Sequence, residues 1–234
     1  MRLDKLLANT GYGSRKDVKQ MIKKRLVKVN DEIVKKADLD VNPVEDIILC
    51  NGEKVSYQEY VYFMLHKPPG YLSATEDSMQ KTVLDLLDEK DRVLNPFPVG
   101  RLDKDTEGLL LISNDGHLAH ELLSPKKHVS KKYFARIKGE VKPEHIEQFK
   151  KGVDIGGYIT KSSGLTILSS GTNSEVEIVI TEGKFHQVKR MFQAIDTEVL
   201  YLKRLSMGSL VLDKNLPVGK YRQLTDEELS LLKE

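Results

Sequence analysis

The sequence predicts an α+β protein in two parts. A small α/β module over residues 1–58 precedes a larger unit over residues 59–234 that carries a mixed, mostly antiparallel sheet. Three observations lead there. A length of 234 residues with 39% hydrophobic content is enough for one to two real cores. After Leu26 the apolar period changes from the three-and-four spacing of helices to the alternation of strands. Beyond Val61, strand-like runs follow one another without a regular helix between each pair, which fits antiparallel pairing best.

Taken in order, Leu3, Leu6 and Leu7 share one helical stripe, and Ser14 offers an N-cap to a second helix with Val18, Met21 and Ile22 on its apolar face. Residues 26–30 alternate, and Asn30-Asp31 opens a turn. A strand over 46–50 becomes half of a hairpin through Asn51-Gly52 and the Lys54-Val55 run. Residues 57–60 read as a linker. In the larger unit strands are expected over 61–65, 109–113, 133–137, 165–168, 176–180 and 199–205. Helices are expected over 82–87, 117–123, 143–151 (with Pro143 at its first position), 186–195 and 225–233.

Composition removes several classes. A single cysteine, Cys50, excludes a disulfide framework and a four-cysteine zinc site. No apolar run reaches the roughly 18 residues of a membrane span. The opening Met1-Arg2-Leu3-Asp4-Lys5-Leu6-Leu7 is too charged for a signal-peptide core, so a cytoplasmic setting is expected. The net charge of +2 names no partner, but its distribution does. Residues 1–36 hold eleven lysines and arginines against four acids, a local excess of +7. Arg15, Lys16, Lys19 and Lys23 recur at helical spacing. The ordinary reading of such a run is a solvated face; its concentration on a small module points instead to a phosphate-binding surface. Residues 125–142 hold seven cations against Glu140, with Tyr133 and Phe134 interleaved. That suits a reader of RNA backbone and bases, or a strand edge guarded by lysines.

The densest cluster for chemistry is residues 98–108, where Gly100, Gly108 and the acids Asp103, Asp105 and Glu107 lead straight into the apolar run from Leu109. A loop on a rigid strand presents functional side chains well. Spacing leaves open whether Asp103 and Asp105 form a glycosidase-like pair, join Glu107 at a metal, or are solvated turn acids. Arg101 and Lys104 argue against a metal. A second cluster is residues 182–192. Val188, Met191, Phe192 and Ile195 make a core face, and His186, Lys189, Arg190 and Gln193 make a cationic stripe suited to an anion. Leu65-His66-Lys67-Pro68-Pro69-Gly70 reads as a strand ending in a rigid turn and says nothing of function.

Together these segments resemble a known family. Gly100-Arg101-Leu102-Asp103-Lys104-Asp105-Thr106-Glu107-Gly108-Leu109-Leu110 is similar to the signature loop of the ribosomal RNA pseudouridine synthases of the Rsu/Rlu group. Lys67-Pro68-Pro69-Gly70 resembles the group's upstream strand motif, Lys131-Lys132-Tyr133 its tyrosine motif, and residues 182–191 its third motif, all in the family's order. Residues 2–49, with Ser14-Arg15 and Val27-Lys28-Val29-Asn30, resemble the S4 RNA-binding domain that often precedes this catalytic domain. The short length and the opening residues are most similar to the RsuA family, with the large-subunit relatives still open. Lys189 departs from the arginine found at its position in much of the superfamily.

The resemblance implies conversion of uridine to pseudouridine in ribosomal RNA, most specifically that of the small subunit or its assembly particle, by a monomer needing no cofactor and no metal. It makes Asp103 the essential carboxylate, Lys189 its counter-charge and Tyr133 the ring that stacks on the uracil. Arg101 would support the flipped nucleotide, and Arg15, Lys16, Lys19, Lys23, His186 and Arg190 would contact RNA. Two rival readings are a non-catalytic RNA-binding or ribosome-assembly factor, and a hydrolase using Asp103 and Asp105 as acid and base.

Overall fold

The computed structural model describes residues 1–55 and 57–233; Ser56 and Glu234, the last residue of the expected second part, lie outside the described residues. The chain is α+β and forms two compact units, residues 1–61 with 87–96, and residues 62–86 with 97 onward.

In the first unit, helices α1 (Leu3–Asn9) and α2 (Arg15–Lys23) share a core with an antiparallel sheet of order β2-β1-β3-β4. Its strands are β1 (Val27–Val29), β2 (Glu32–Ile33), β3 (Ile48–Cys50) and β4 (Glu53–Lys54). Leu3, Leu6 and Leu7 are fully buried with Val18 and Ile22, as their spacing requires. Ser14 starts α2 through a reciprocal cap: its Oγ accepts from the Asp17 amide at 3.3 Å and its own amide donates to the Asp17 carboxylate at 2.8 Å. Arg15, Lys16, Lys19 and Lys23 all lie on the exposed side of this helix. The short helix α3 (Glu89–Arg92) belongs to this unit.

The second unit is built on a nine-stranded sheet of order β13-β5-β7-β11-β8-β10-β9. Its strands are β5 (Tyr62–Lys67), β6 (Phe97–Pro98, beside β7), β7 (Glu107–Ser113), β8 (Lys131–Lys138), β9 (Gly164–Ser169), β10 (Asn173–Ile180), β11 (Glu198–Met207), β12 (Leu210–Val211, beside β11) and β13 (Tyr221–Gln223). Helices α4 (Gly116–Leu123), α5 (Pro143–Lys151), α6 (Gln187–Gln193) and α7 (Asp226–Lys233) complete it. The expected helix over 82–87 is a single 3-10 turn, Val83–Leu86. Among the described residues, the pairings between these strands are antiparallel except β7 with β11, which is parallel. Strand β5 and all but the first residue of β7 are buried along their length, so their apolar runs are continuous rather than alternating.

Register at the centre of the sheet decides what reaches the loop that precedes β7. Lys67 of β5 pairs with Gly108 of β7, Gly108 with Arg204 of β11, and Arg204 with Tyr133 of β8. Residues so paired share a face, so one row across four strands carries a lysine, an arginine and a tyrosine. Gly108 is required in that row. A Cβ there would sit 2.3 Å from the Arg204 carbonyl oxygen, and its φ of +114° is one that other residues rarely adopt.

Candidate active site

A buried lysine shapes the loop that carries Asp103. Lys67 is 0% exposed, and its ammonium donates to the carbonyls of Thr106 at 2.8 Å and of Pro68, Asp103 and Lys104 at 3.1 Å each. Carbonyls that converge away from water need a donor, and a cation serves several at once. Burial pulls the Lys67 pKa down to about 8 against the opposing pull of Asp105 and Asp103, which leaves it charged at neutral pH. The turn closes with the Thr106 amide on the Asp103 carbonyl at 3.0 Å, and Ser73 Oγ holds both backbone groups of Leu102. The backbone is thus tied down from below.

Asp103, 28% exposed, borders a cleft of about 80 Å³ whose walls include Arg101, Thr106, Tyr133, Lys184 and His186. Lys189 Nζ lies 3.4 Å from Asp103 Oδ2 and 2.6 and 2.8 Å from the two carboxylate oxygens of Asp105. The lysine expected to serve Asp103 therefore bridges two acids and holds the outer one more tightly. Burial works to raise the Asp105 pKa, but the Lys189 bond and charge outweigh it and leave Asp105 below the usual carboxylate range. His186 Nε2 stands 3.7 Å from Asp103 Oδ1. Tyr133, 7% exposed, lines both this cleft and an adjacent cavity of about 370 Å³, which also shares Arg101, Gly183 and Lys184. Among the described residues, two buried side-chain polar atoms lack a partner: Thr106 Oγ1 and Arg204 Nη2. Thr106 lines the cleft and Arg204 the adjacent cavity.

Three residues of the clusters at 98–108 and 182–192 sit differently from what the sequence suggests. His186 is not in the first turn of the helix; it precedes α6 with a left-handed φ of +50°, and its ring stacks on the 75% exposed Phe185 at 3.8 Å. The Lys184 amide instead donates to Gln187 Oε1 at 2.9 Å. Arg190, expected to contact RNA, holds its guanidinium against the protein's own backbone. Its guanidinium donates to the carbonyls of Ile155 and Phe185, because the Gly156-Gly157 turn brings a backbone acceptor to it. Glu107 does not join the loop acids. It is the first residue of β7, neighbour to Gly108, so it faces the opposite side of the sheet. There His66 Nε2 lies 3.0 Å and Lys203 Nζ 3.1 Å from Glu107 Oε1. Burial pushes the Tyr201 hydroxyl of the same cluster up to about 12, with help from its bond to Glu107. No group of three His, Cys, Asp or Glu converges as metal ligands among the described residues, and none of their helices is long and apolar enough to cross a membrane.

The sequence assigns no role to Lys67, which is named only within the upstream strand motif, and none to Arg204. Their signal was present in the sequence as a cation ending or interrupting an apolar strand, at Leu65-His66-Lys67 and Leu202-Lys203-Arg204-Leu205. Charges in such places are seldom buried unless they have work to do.

Residues 61–194 match the family described as RNA pseudouridylate synthase, and residues 1–48 match the S4 domain. The chain is 52% identical to the uncharacterized RNA pseudouridine synthase YtzG of Bacillus subtilis (strain 168), across 100% of this chain and 99% of the relative. It is 38% identical to ribosomal small subunit pseudouridine synthase A of Escherichia coli (strain K12), across 98% and 99%. A crystal structure of a pseudouridylate synthase superposes with a TM-score of 0.69 at 34% identity, covering 99% of both chains.

Proposed function

We infer the target and the roles of the residues from one premise: the chain belongs to the RNA pseudouridylate synthase family and carries an amino-terminal S4 domain. It is an isomerase acting on RNA. We propose that its substrate is a uridine of small-subunit ribosomal RNA, presented as free RNA or in an assembling particle in the cytoplasm, and that a single chain acts. The small-subunit assignment is supported by full-length similarity to an Escherichia coli relative whose name carries that subunit.

In the reaction the base leaves ribose carbon 1, rotates and rejoins through carbon 5, after which the proton on carbon 5 is lost and one is gained at nitrogen. Nothing is oxidised and no water is consumed. A uridine stacked in RNA must first turn out, at a cost on the order of a few kcal/mol. Asp103 is the essential carboxylate, adding covalently to sugar or base or acting on the ribose as a base. Tyr133 lies against the uracil, and Lys189 balances the charge of Asp103. Exposed Arg101 supports the flipped nucleotide from the rim. The exposed faces of α2, through Arg15, Lys16, Lys19 and Lys23, supply sequence-independent phosphate contacts.

The observation that carries this reading is the placement of Asp103: a half-buried carboxylate, on a loop tied from below by Lys67, beside Tyr133 and a cation 3.4 Å away. The test is Asp103→Asn against Asp105→Asn, assayed by carbodiimide mapping of pseudouridine in small- and large-subunit RNA transcripts. Asp103→Asn is expected to bind RNA normally and form no pseudouridine. Asp105→Asn should stay within about tenfold, about 1.4 kcal/mol, since Lys189 is then freed to serve Asp103 alone. Full turnover by Asp103→Asn would remove the assignment, and release of free uracil would indicate a hydrolase.

A further inference from the structure

We propose that the cavity beside the Asp103 cleft is a binding site for one phosphodiester of the RNA backbone near the target uridine, with Arg204 and Lys131 as its ligands. This rests on the reading of the chain as an RNA pseudouridine synthase.

Arg204 is 2% exposed, and among the described residues no carboxylate lies within ion-pair distance of it. Its Nε donates to the Leu109 carbonyl at 2.7 Å, while Nη2 is buried without a partner. A buried guanidinium compensated by one carbonyl is a costly arrangement, tolerated where an anion arrives to complete it. Lys131 lines the same cavity, and its ammonium donates to the Val129 carbonyl at 3.0 Å. Burial and the nearby Arg204 both depress the Lys131 pKa, as expected when cations are held together without a counter-ion.

The rest of the wall has the same character. Arg101, Lys161 and Lys184 line it with Arg204 and Lys131, against the single acid Glu182. Glu182 is already engaged by the Tyr158 hydroxyl at 2.7 Å, the Lys161 amide at 2.9 Å and Gln187 at 3.0 Å. Five cations around about 370 Å³ provide room and charge for a phosphate with its sugar. The register fixes the location. Arg204 is paired with Tyr133 on the adjacent strand, roughly 4.7–4.9 Å away, and Tyr133 borders the Asp103 cleft. An anion in this cavity therefore shares the Tyr133 wall with the cleft that holds Asp103, where a neighbouring phosphate of the same strand would lie. Gly108 makes this possible by letting the Arg204 backbone approach β7 without a side chain between them.

The test uses the full-length protein and inorganic phosphate, titrated at constant ionic strength made up with chloride. Arginine Nε–H signals are followed by NMR, and the Arg204 signal is identified by its loss in Arg204→Lys. A saturable shift of that signal is expected, with phosphate affinity at least fivefold weaker in Lys131→Met. Phosphate should also displace a bound RNA oligonucleotide beyond its ionic-strength effect. The slope of log affinity for RNA against log salt should fall by about 0.7 in Arg204→Met, one phosphate contact on a single strand. If Arg204→Met fails to fold, Lys131→Met, whose side chain is only partly buried, carries the slope measurement. An unshifted Arg204 signal overturns the proposal. So does phosphate that saturates the site without displacing RNA, which would mark a site for a free anion. Neither readout depends on turnover, so failure of Asp103→Asn to abolish pseudouridine would strike the catalytic assignment alone.

Discussion

Replacing Lys67 by methionine tests whether the loop carrying Asp103 is held by that ammonium. The substitution keeps the stem and removes the donor from four carbonyls at 2.8–3.1 Å. An ammonium has three N–H groups, and charge-assisted bonds contribute about 1.5–3 kcal/mol each. Relief from burying the charge offsets part of that, so a net loss of about 3 kcal/mol is expected, in the range for stranding one side of a buried polar cluster. For a unit of this size that is a fall in Tm of roughly 6–12 °C, readable by calorimetry. The pH dependence adds a second signature. Below about pH 8 Lys67 is protonated folded and unfolded, and the cost of burying its charge is fully present. Between about 8 and the ordinary lysine value near 10.5 the folded state releases the proton while the unfolded state keeps it, so wild-type stability gains with rising pH and Lys67→Met does not. The gap between the two proteins should widen across that window. With the loop loosened, kcat should fall about 100-fold with little change in RNA affinity, since displacing a reacting group by about 1 Å costs that much. A variant that melts within about 2 °C of wild type, with unchanged kcat, would show that the Lys67 ammonium does not hold the loop.

Further outcomes follow from other interactions. Lys189→Met should lower turnover steeply because Asp103 and Asp105 lose their shared counter-charge, whereas Lys189→Arg should keep much of the rate; pseudouridine yield under single-turnover conditions separates them. Arg190→Met should lower Tm by a few degrees, about 1–2 kcal/mol for the missing carbonyl bonds, and leave the salt dependence of RNA binding unchanged. Replacing Arg15, Lys16, Lys19 and Lys23 by glutamine should reduce the salt slope of RNA binding by about 0.7 for each phosphate no longer neutralised, with Tm unchanged because all four are exposed. Gly108→Ala should fail to yield folded protein, because its Cβ overlaps the Arg204 backbone.

Local features were legible in the sequence where local physics decides them. Ser14 and Asp17 lie three residues apart and form the cap that starts α2, and Leu3, Leu6 and Leu7 are buried as their spacing demands. The apolar run after Gly108 became β7, whereas Lys189 beside Asp103 was expected only from the family resemblance, since the two lie far apart in the chain. What escaped depends on pairing between distant strands. Nothing near Arg204 in sequence says that β11 lies parallel to β7 and antiparallel to β8, and only those two registers together bring Arg204 opposite Gly108 and Tyr133. Lys67 looked like the end of a strand because its four acceptors include three from residues 103–106, far along the chain. The helical stripe through His186 failed for a local reason: a left-handed residue before α6 interrupts the 3.6-residue period that the stripe assumed.

The most direct measurement is carbodiimide mapping of both ribosomal RNAs from cells lacking this protein, complemented with wild type or with Asp103→Asn. One pseudouridine in small-subunit RNA should disappear with the protein, return with wild type and not return with Asp103→Asn. A small-subunit map identical with and without the protein, or a site restored by Asp103→Asn, would contradict this expectation.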